Sequence, residues 1–120
     1  MEEEFFGKPY VTSEKFLESR EQIYNWGIFR FGYFQAERYD RKIDKAIETL
    51  STFYTAYPPC RHIPTKSRMY RNIILDAHLI IYRITDLRIE VLLALCAAHV
   101  DIVHSASSIR KIRNVRKIRI

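Results

Sequence analysis

A chain of 120 residues fits one domain, since domains cluster near roughly 100–150 residues and a chain of that size buries most of its apolar surface. Apolar residues make up 48 % and charged residues 28 %, and sixteen aromatics (eight Tyr, seven Phe and Trp26) exclude a disordered chain. The formal net charge of +6 is unevenly placed. The last eleven residues carry Arg110, Lys111, Arg113, Arg116, Lys117 and Arg119 without an acid, so the remainder balances fourteen basic against fourteen acidic residues. A neutral body with a basic arm over 105–120 suits a polyanion or an acidic protein partner.

The start, Met1-Glu2-Glu3-Glu4, lacks the basic and apolar regions of a secretory leader, and no apolar run approaches the roughly 18–20 residues that a membrane span requires. Two cysteines, Cys60 and Cys96, point to thiols in a reducing compartment rather than to a disulfide framework. The expectation is a cytoplasmic protein of one domain over 1–120, with a flexible N-terminus over 1–8.

Residues 9–12 read as a short extended segment that ends at Ser13, an N-cap for a helix with Glu14 in its first turn. Phe16, Ile23 and Trp26 give that helix a partly apolar face, which assigns Trp26 to the core. Arg20 interrupts the face, Gly27 weakens the helix by roughly 1 kcal/mol relative to alanine, and Gly32 ends it. A second helix follows over Tyr33–Tyr54. Tyr39, Ile43, Ala46, Ile47, Leu50 and Phe53 recur at spacings of three and four, opposite a charged face that includes Glu37, Arg38, Asp40 and Arg41. The two helices form an antiparallel hairpin, and Pro58-Pro59 stops the helical half.

Residues 60–68 form a basic loop. Three β-type runs then follow: Met69–Leu75, His78–Ile84 and Arg88 to about Cys96. The connections Asp76-Ala77 and Thr85-Asp86-Leu87 permit only antiparallel hairpins. In the middle run Leu79, Ile81 and Arg83 share one face and Ile80, Tyr82 and Ile84 the other, which predicts a central strand with Tyr82 in the core. In the tail an apolar residue recurs every third position, at Ile109, Ile112, Val115 and Ile118, and this period predicts a helix, with pairing of Val115–Ile120 as an edge strand the other reading. The fold class is α+β: an N-terminal short strand and a two-helix hairpin packed on a C-terminal antiparallel sheet of three to four strands.

With three glycines and no phosphate loop, metal-ligand spacing or nucleophile elbow, nothing points to a nucleotide cofactor or a metal. His99, Asp101 and His104 lie close in sequence without matching the spacing of a zinc site. Arg61, His62, Lys66, Arg68, Arg71 and Arg83, with Tyr70, form either a solvated surface or a basic, aromatic-studded one that contacts phosphates. His99 and His104 are candidates for a general base.

The stretch Ile23-Tyr24-Asn25-Trp26-Gly27-Ile28-Phe29-Arg30-Phe31-Gly32 with Gln35-Ala36-Glu37-Arg38-Tyr39 resembles the two-helix hairpin of the RelE/ParE toxin superfamily of type II toxin-antitoxin modules. Met69–Ile73, His78–Ile84 and Arg88–Leu92 resemble its sheet hairpins, so the likeness spans nearly the whole chain. RelE-like members cut messenger RNA on the ribosome, and ParE-like members poison DNA gyrase. The resemblance implies a toxin that binds a cognate acidic antitoxin, acts on gyrase or on the ribosome, and assembles as a homodimer or as a hetero-oligomer with the antitoxin. Ile73 and Leu79 stand where the nucleases carry Lys and Arg, while Arg71, Arg83 and a late His99 or His104 are what is left of a cleavage set that needs cations around the scissile phosphate. The hairpin is most similar to ParE-like plasmid stabilization proteins, which implies a gyrase inhibitor without a cofactor. Arg61, Lys66, Arg68 and the six tail cations are then the surface for the antitoxin or the target.

Overall fold

The computed structural model describes residues 7–61, 63–96 and 109–112, together with the backbone of 115–117. The chain order is β1 (Tyr10–Ser13), α1 (Glu14–Phe31), α2 (Tyr33–Glu48), α3 (Leu50–Phe53), β2 (Tyr70–Leu75), β3 (His78–Ile84), β4 (Ile89–Cys96) and β5 (Val115–Lys117). Ser13 caps α1 as its sequence position predicts: the Phe16 amide donates to Ser13 Oγ at 2.9 Å, and the same hydroxyl donates to Leu92 O at 2.6 Å. One side chain thus satisfies an orphan helix donor and ties the helix start to the sheet. Gly32 closes α1 at φ 93° and ψ 167°, a conformation open essentially to glycine alone, and this allows α2 to start one residue later.

The second helix stops short of Tyr54. Thr49 donates both its amide and its hydroxyl to Ala46 O, at 3.3 and 2.7 Å, which tightens the turn and separates the four-residue α3 from α2. Ile43, Ile47 and Leu50 are buried as their spacing predicts, whereas Phe53 is exposed. Arg20, which interrupts the apolar face of α1, clamps the hairpin: its Nε lies 2.9 Å from Asp40 and its Nη2 2.6 Å from Asp44.

The sheet has five strands in the order β2-β3-β4-β1-β5 and is mixed, not purely antiparallel. The N-terminal segment enters it as β1, parallel to β4 with Val11 opposite Glu90, because the helical hairpin intervenes between the two strands as a crossover. The tail supplies β5, antiparallel to β1 with Thr12 opposite Arg116, so residues 115–117 form an edge strand in place of the expected helix. The open backbone of β1 outweighs the three-residue apolar period. Ile109 and Ile112 still pack inward, within a turn that the Ile112 amide closes on Ile109 O.

Both sheet faces are covered. Phe16, Ile43, Ile47 and Leu50 pack on Ile80, Tyr82 and Val91 from the helix side, while Cys60, Ile63 and Ile109 pack on Ile81, Leu93 and Leu95 from the other. Between β3 and β4 the register passes from Ile81 opposite Leu93 to Tyr82 opposite Val91, so Leu92 is a bulge residue that switches the faces along β4. The β2–β3 connection is the two-residue turn Asp76-Ala77, with Asp76 at φ 54°, a left-handed value that aspartate tolerates.

Candidate functional site

Arg83 and Arg71, the described candidates for phosphate chemistry, hold the fold together. Arg83 is buried, with Nη2 2.6 Å from Glu90 Oε1, Nη1 donating to Tyr70 Oη at 3.2 Å and Nη2 donating to Ile112 O at 3.2 Å. Arg88 binds the other Glu90 oxygen at 2.9 Å. Burial pulls the Arg83 guanidinium down, but its bonds to Tyr70 and Glu90 outweigh that and raise it above its ordinary value. Arg71 Nη1 donates to Tyr57 O at 2.7 Å and Thr55 O at 3.1 Å, pinning the loop before β2. Tyr70 opposes Arg83 and Arg71 opposes Tyr82, which puts the two arginines on opposite faces of the sheet. His62, His99, His104, Arg113 and Arg119 lie outside the described residues, as do the side chains of Arg116 and Lys117.

The remaining described candidate cations lie on the loop before β2 and on the turn at 110–111 that contacts it. Arg61, Lys66 and Arg68 are exposed on the loop before β2, and Arg110 reaches that loop by donating to Pro64 O at 3.5 Å, with Lys111 beside it. Arg68 takes φ 56°, with its amide on Thr65 O at 3.2 Å.

Two apolar grooves flank α1 and share Ile23, Trp26 and His78. One, of about 660 Å³, lies between α1 and the end of β4, where it includes Ser19, Leu95 and Cys96. The other, of about 800 Å³, lies between the hairpin and the β2–β3 turn, where it includes Arg30, Phe31, Tyr39 and Ala77. In the first, β1 pairs with β4 only over Ile89–Val91, and the Ala94 amide donates to Ser19 Oγ at 3.0 Å instead of to a strand. In the second, Tyr39 Oη donates to Leu75 O at 2.9 Å, so His78 Nδ1, 2.8 Å away, is the donor to Tyr39 and Nε2 carries the lone pair. Burial keeps His78 below its usual value and pushes Tyr39 up to about 12, with the Asp76 carboxylate adding to the latter.

The hairpin tip exposes a group of aromatics that helical periodicity alone does not reveal. Trp26 is 54 % exposed rather than core, Phe29 83 % and Phe34 80 %, and Phe31 and Tyr33 are also exposed. Arg30 stacks over the Trp26 and Phe31 rings at 5.4 and 5.8 Å. The signal was the run Phe29-Arg30-Phe31-Gly32-Tyr33-Phe34: aromatics this dense around a turn cannot all face one core. Among the described residues no group of three or more His, Cys, Asp or Glu can hold a metal, and no helix is long and apolar enough to cross a membrane.

Residues 10–98 match the family described as the ParE toxin of type II toxin-antitoxin system, parDE. The chain belongs to this family. The match runs from β1 through β4 and takes in the hairpin, both grooves and Arg83. A chain of the solved structure described as "Chromosomal ParDE TA system from P. aeruginosa" superposes with a TM-score of 0.62 at 14 % identity, covering 74 % of this toxin and 95 % of that chain, a likeness of fold. None of the curated proteins matches it.

Proposed function

We propose that this toxin inhibits DNA gyrase by protein contact and is neutralised by a cognate acidic antitoxin. The observation that carries the choice of gyrase over messenger RNA is the divergence of Arg71 and Arg83. Cleavage of a phosphodiester needs cations converging on the charge that develops at one phosphorus. These two arginines leave opposite sheet faces and are held by carbonyls and Glu90.

For the antitoxin, the cationic end around Arg61, Lys66, Arg68 and Lys111 attracts an acidic chain from a distance. The groove between α1 and β4 then takes its apolar segment. Among the described residues none forms a strand on the outer edge of β4 beyond Val91, so an extended arm that orders on binding fits there.

The test pairs two assays of the full chain, gyrase supercoiling of relaxed plasmid and messenger integrity in a translating extract. Inhibited supercoiling with intact messenger, reversed by the antitoxin, supports the reading. Cleaved messenger with unaffected gyrase overturns it in favour of a ribosome-dependent endoribonuclease.

A further inference from the structure

The hairpin tip is chemically unlike the rest of the surface. Between Gln22 and Ala36 the only charged residue is Arg30, and its guanidinium lies over the Trp26 and Phe31 rings. At about 200 Å² for a large aromatic side chain, the exposed parts of Trp26, Phe29, Phe31, Tyr33 and Phe34 amount to roughly 650 Å². That approaches the roughly 800 Å² per partner of a standard interface.

We infer that the tip is a self-association surface that pairs two copies of this chain tip to tip. Charge selects the occupant. Arg68 and Asp76 bracket the six residues of β2, about 20 Å of strand, and α1 spans about 27 Å from Glu14 to Phe31. The groove at the tip touches the Asp76-Ala77 turn, whereas the described cations at 61, 66, 68, 110 and 111 lie toward the opposite end of β2. An acidic partner is drawn to that end of β2. Two copies of a chain with net charge +6 repel least when their neutral tips meet and their cationic ends point apart.

Shape agrees with charge. A two-fold interface must be self-complementary. The tip carries elements of both halves of such a contact, the exposed rings of Phe29 and Phe34 and a groove of about 800 Å³ lined by Phe31, Tyr39, Ala36 and Ile43. Arg30, the one charge of the tip, already rests on the Trp26 and Phe31 rings. This inference does not depend on which target the toxin attacks.

Analytical ultracentrifugation of the full chain over a wide concentration range tests it, with the emission of Trp26, the sole tryptophan, followed in parallel. The expected result is a reversible dimer whose formation shifts Trp26 emission to the blue and which added salt leaves unchanged or strengthens. The exposed-site variants Phe29→Glu and Phe34→Glu should remain monomeric, with helical circular dichroism intact. A wild-type monomer at every concentration overturns the inference. So does a dimer that persists in both variants, that dissociates with salt, or that forms without any change in Trp26 emission.

Discussion

Arg71 and Arg83 occupy adjacent rungs of the β2–β3 ladder and leave it from opposite faces, Arg71 toward the loop that carries Thr55 and Tyr57, Arg83 into a buried pair with Glu90. Arg83 is therefore a structural cation, although a strand arginine is where a nuclease reading looks first.

Replacing Arg83 by methionine keeps the apolar stem and removes the charge. Breaking a buried pair from one side costs about 3–5 kcal/mol because the remaining ion has no partner. Arg88 stays on Glu90 at 2.9 Å and softens the loss, so Arg83→Met should destabilise the toxin by about 2–4 kcal/mol in urea denaturation. Under the proposed action on gyrase, the folded fraction of the variant should match the wild type in the supercoiling assay. Lost inhibition in a fully folded sample would give Arg83 a direct role at the target.

Local rules carried much of the fold into view. Ser13 as a cap, Gly32 as a joint, the Asp76-Ala77 turn and the buried alternation of β3 each follow from a few neighbouring residues, and each stands as expected. What escaped was set at long range. The tail period of three resembles a helix until β1, more than a hundred residues earlier, offers a free edge. The α1 stripe assigns Trp26 to the core because sequence periodicity gives a face but not how far the sheet reaches beneath it. The same gap separates Arg83 from Arg68: both are candidate phosphate-binding arginines in the sequence, and the partner Glu90 on the next strand is what makes Arg83 structural.

The glycines of the hairpin should respond in opposite senses. A methyl group at Gly27 would sit 3.5 Å from Ala36 Cβ, an ordinary contact, in the middle of α1. Gly27→Ala should therefore stabilise the protein by up to about 1 kcal/mol, since glycine in a helix interior is that much less favourable than alanine. Gly32 has open space around it but φ 93°, so Gly32→Ala should cost on the order of 1–3 kcal/mol in backbone strain alone. Thermal melts of both variants check this, and a destabilised Gly27→Ala would mean that the α1–α2 contact tolerates no added methyl group.

The Tyr39–His78 pair makes stability depend on pH at both ends. Burial holds folded His78 below the value of about 6.5 that it has in the unfolded chain. The unfolded state therefore binds the proton first, and stability falls as pH drops below about 6.5 until the folded imidazole also protonates. Tyr39, pushed up to about 12 by burial, stays neutral while an unfolded tyrosine ionises near about 10, so stability also falls as pH rises from about 10 toward 12. Tyr82, raised by burial as well, acts in the same direction. Urea midpoints against pH should show both limbs. His78→Asn, which can still donate to Tyr39, should flatten the acid limb alone, and an NMR titration that places His78 at or above about 6.5 would remove the basis for that limb.

The two thiols report on the groove proposed for the antitoxin. Neither forms a disulfide. Cys60 is fully buried under the second core, with its amide on Tyr70 O at 2.8 Å, and Cys96 is exposed at the end of β4, opposite His78 in the ladder and on the wall of the α1–β4 groove. A thiol reagent should modify Cys96 rapidly in the folded toxin and Cys60 only as the structure opens, because accessibility of the thiolate controls the rate. A bulky maleimide on Cys96 then fills the groove without disturbing either core. If the antitoxin arm lies there, the modified toxin should bind its antitoxin at least tenfold more weakly, a loss of about 1.4 kcal/mol, while Cys96→Ser binds normally. Undiminished affinity after complete modification of Cys96 would move the antitoxin out of this groove and leave the cationic end around Arg61, Arg68 and Lys111 as its principal contact.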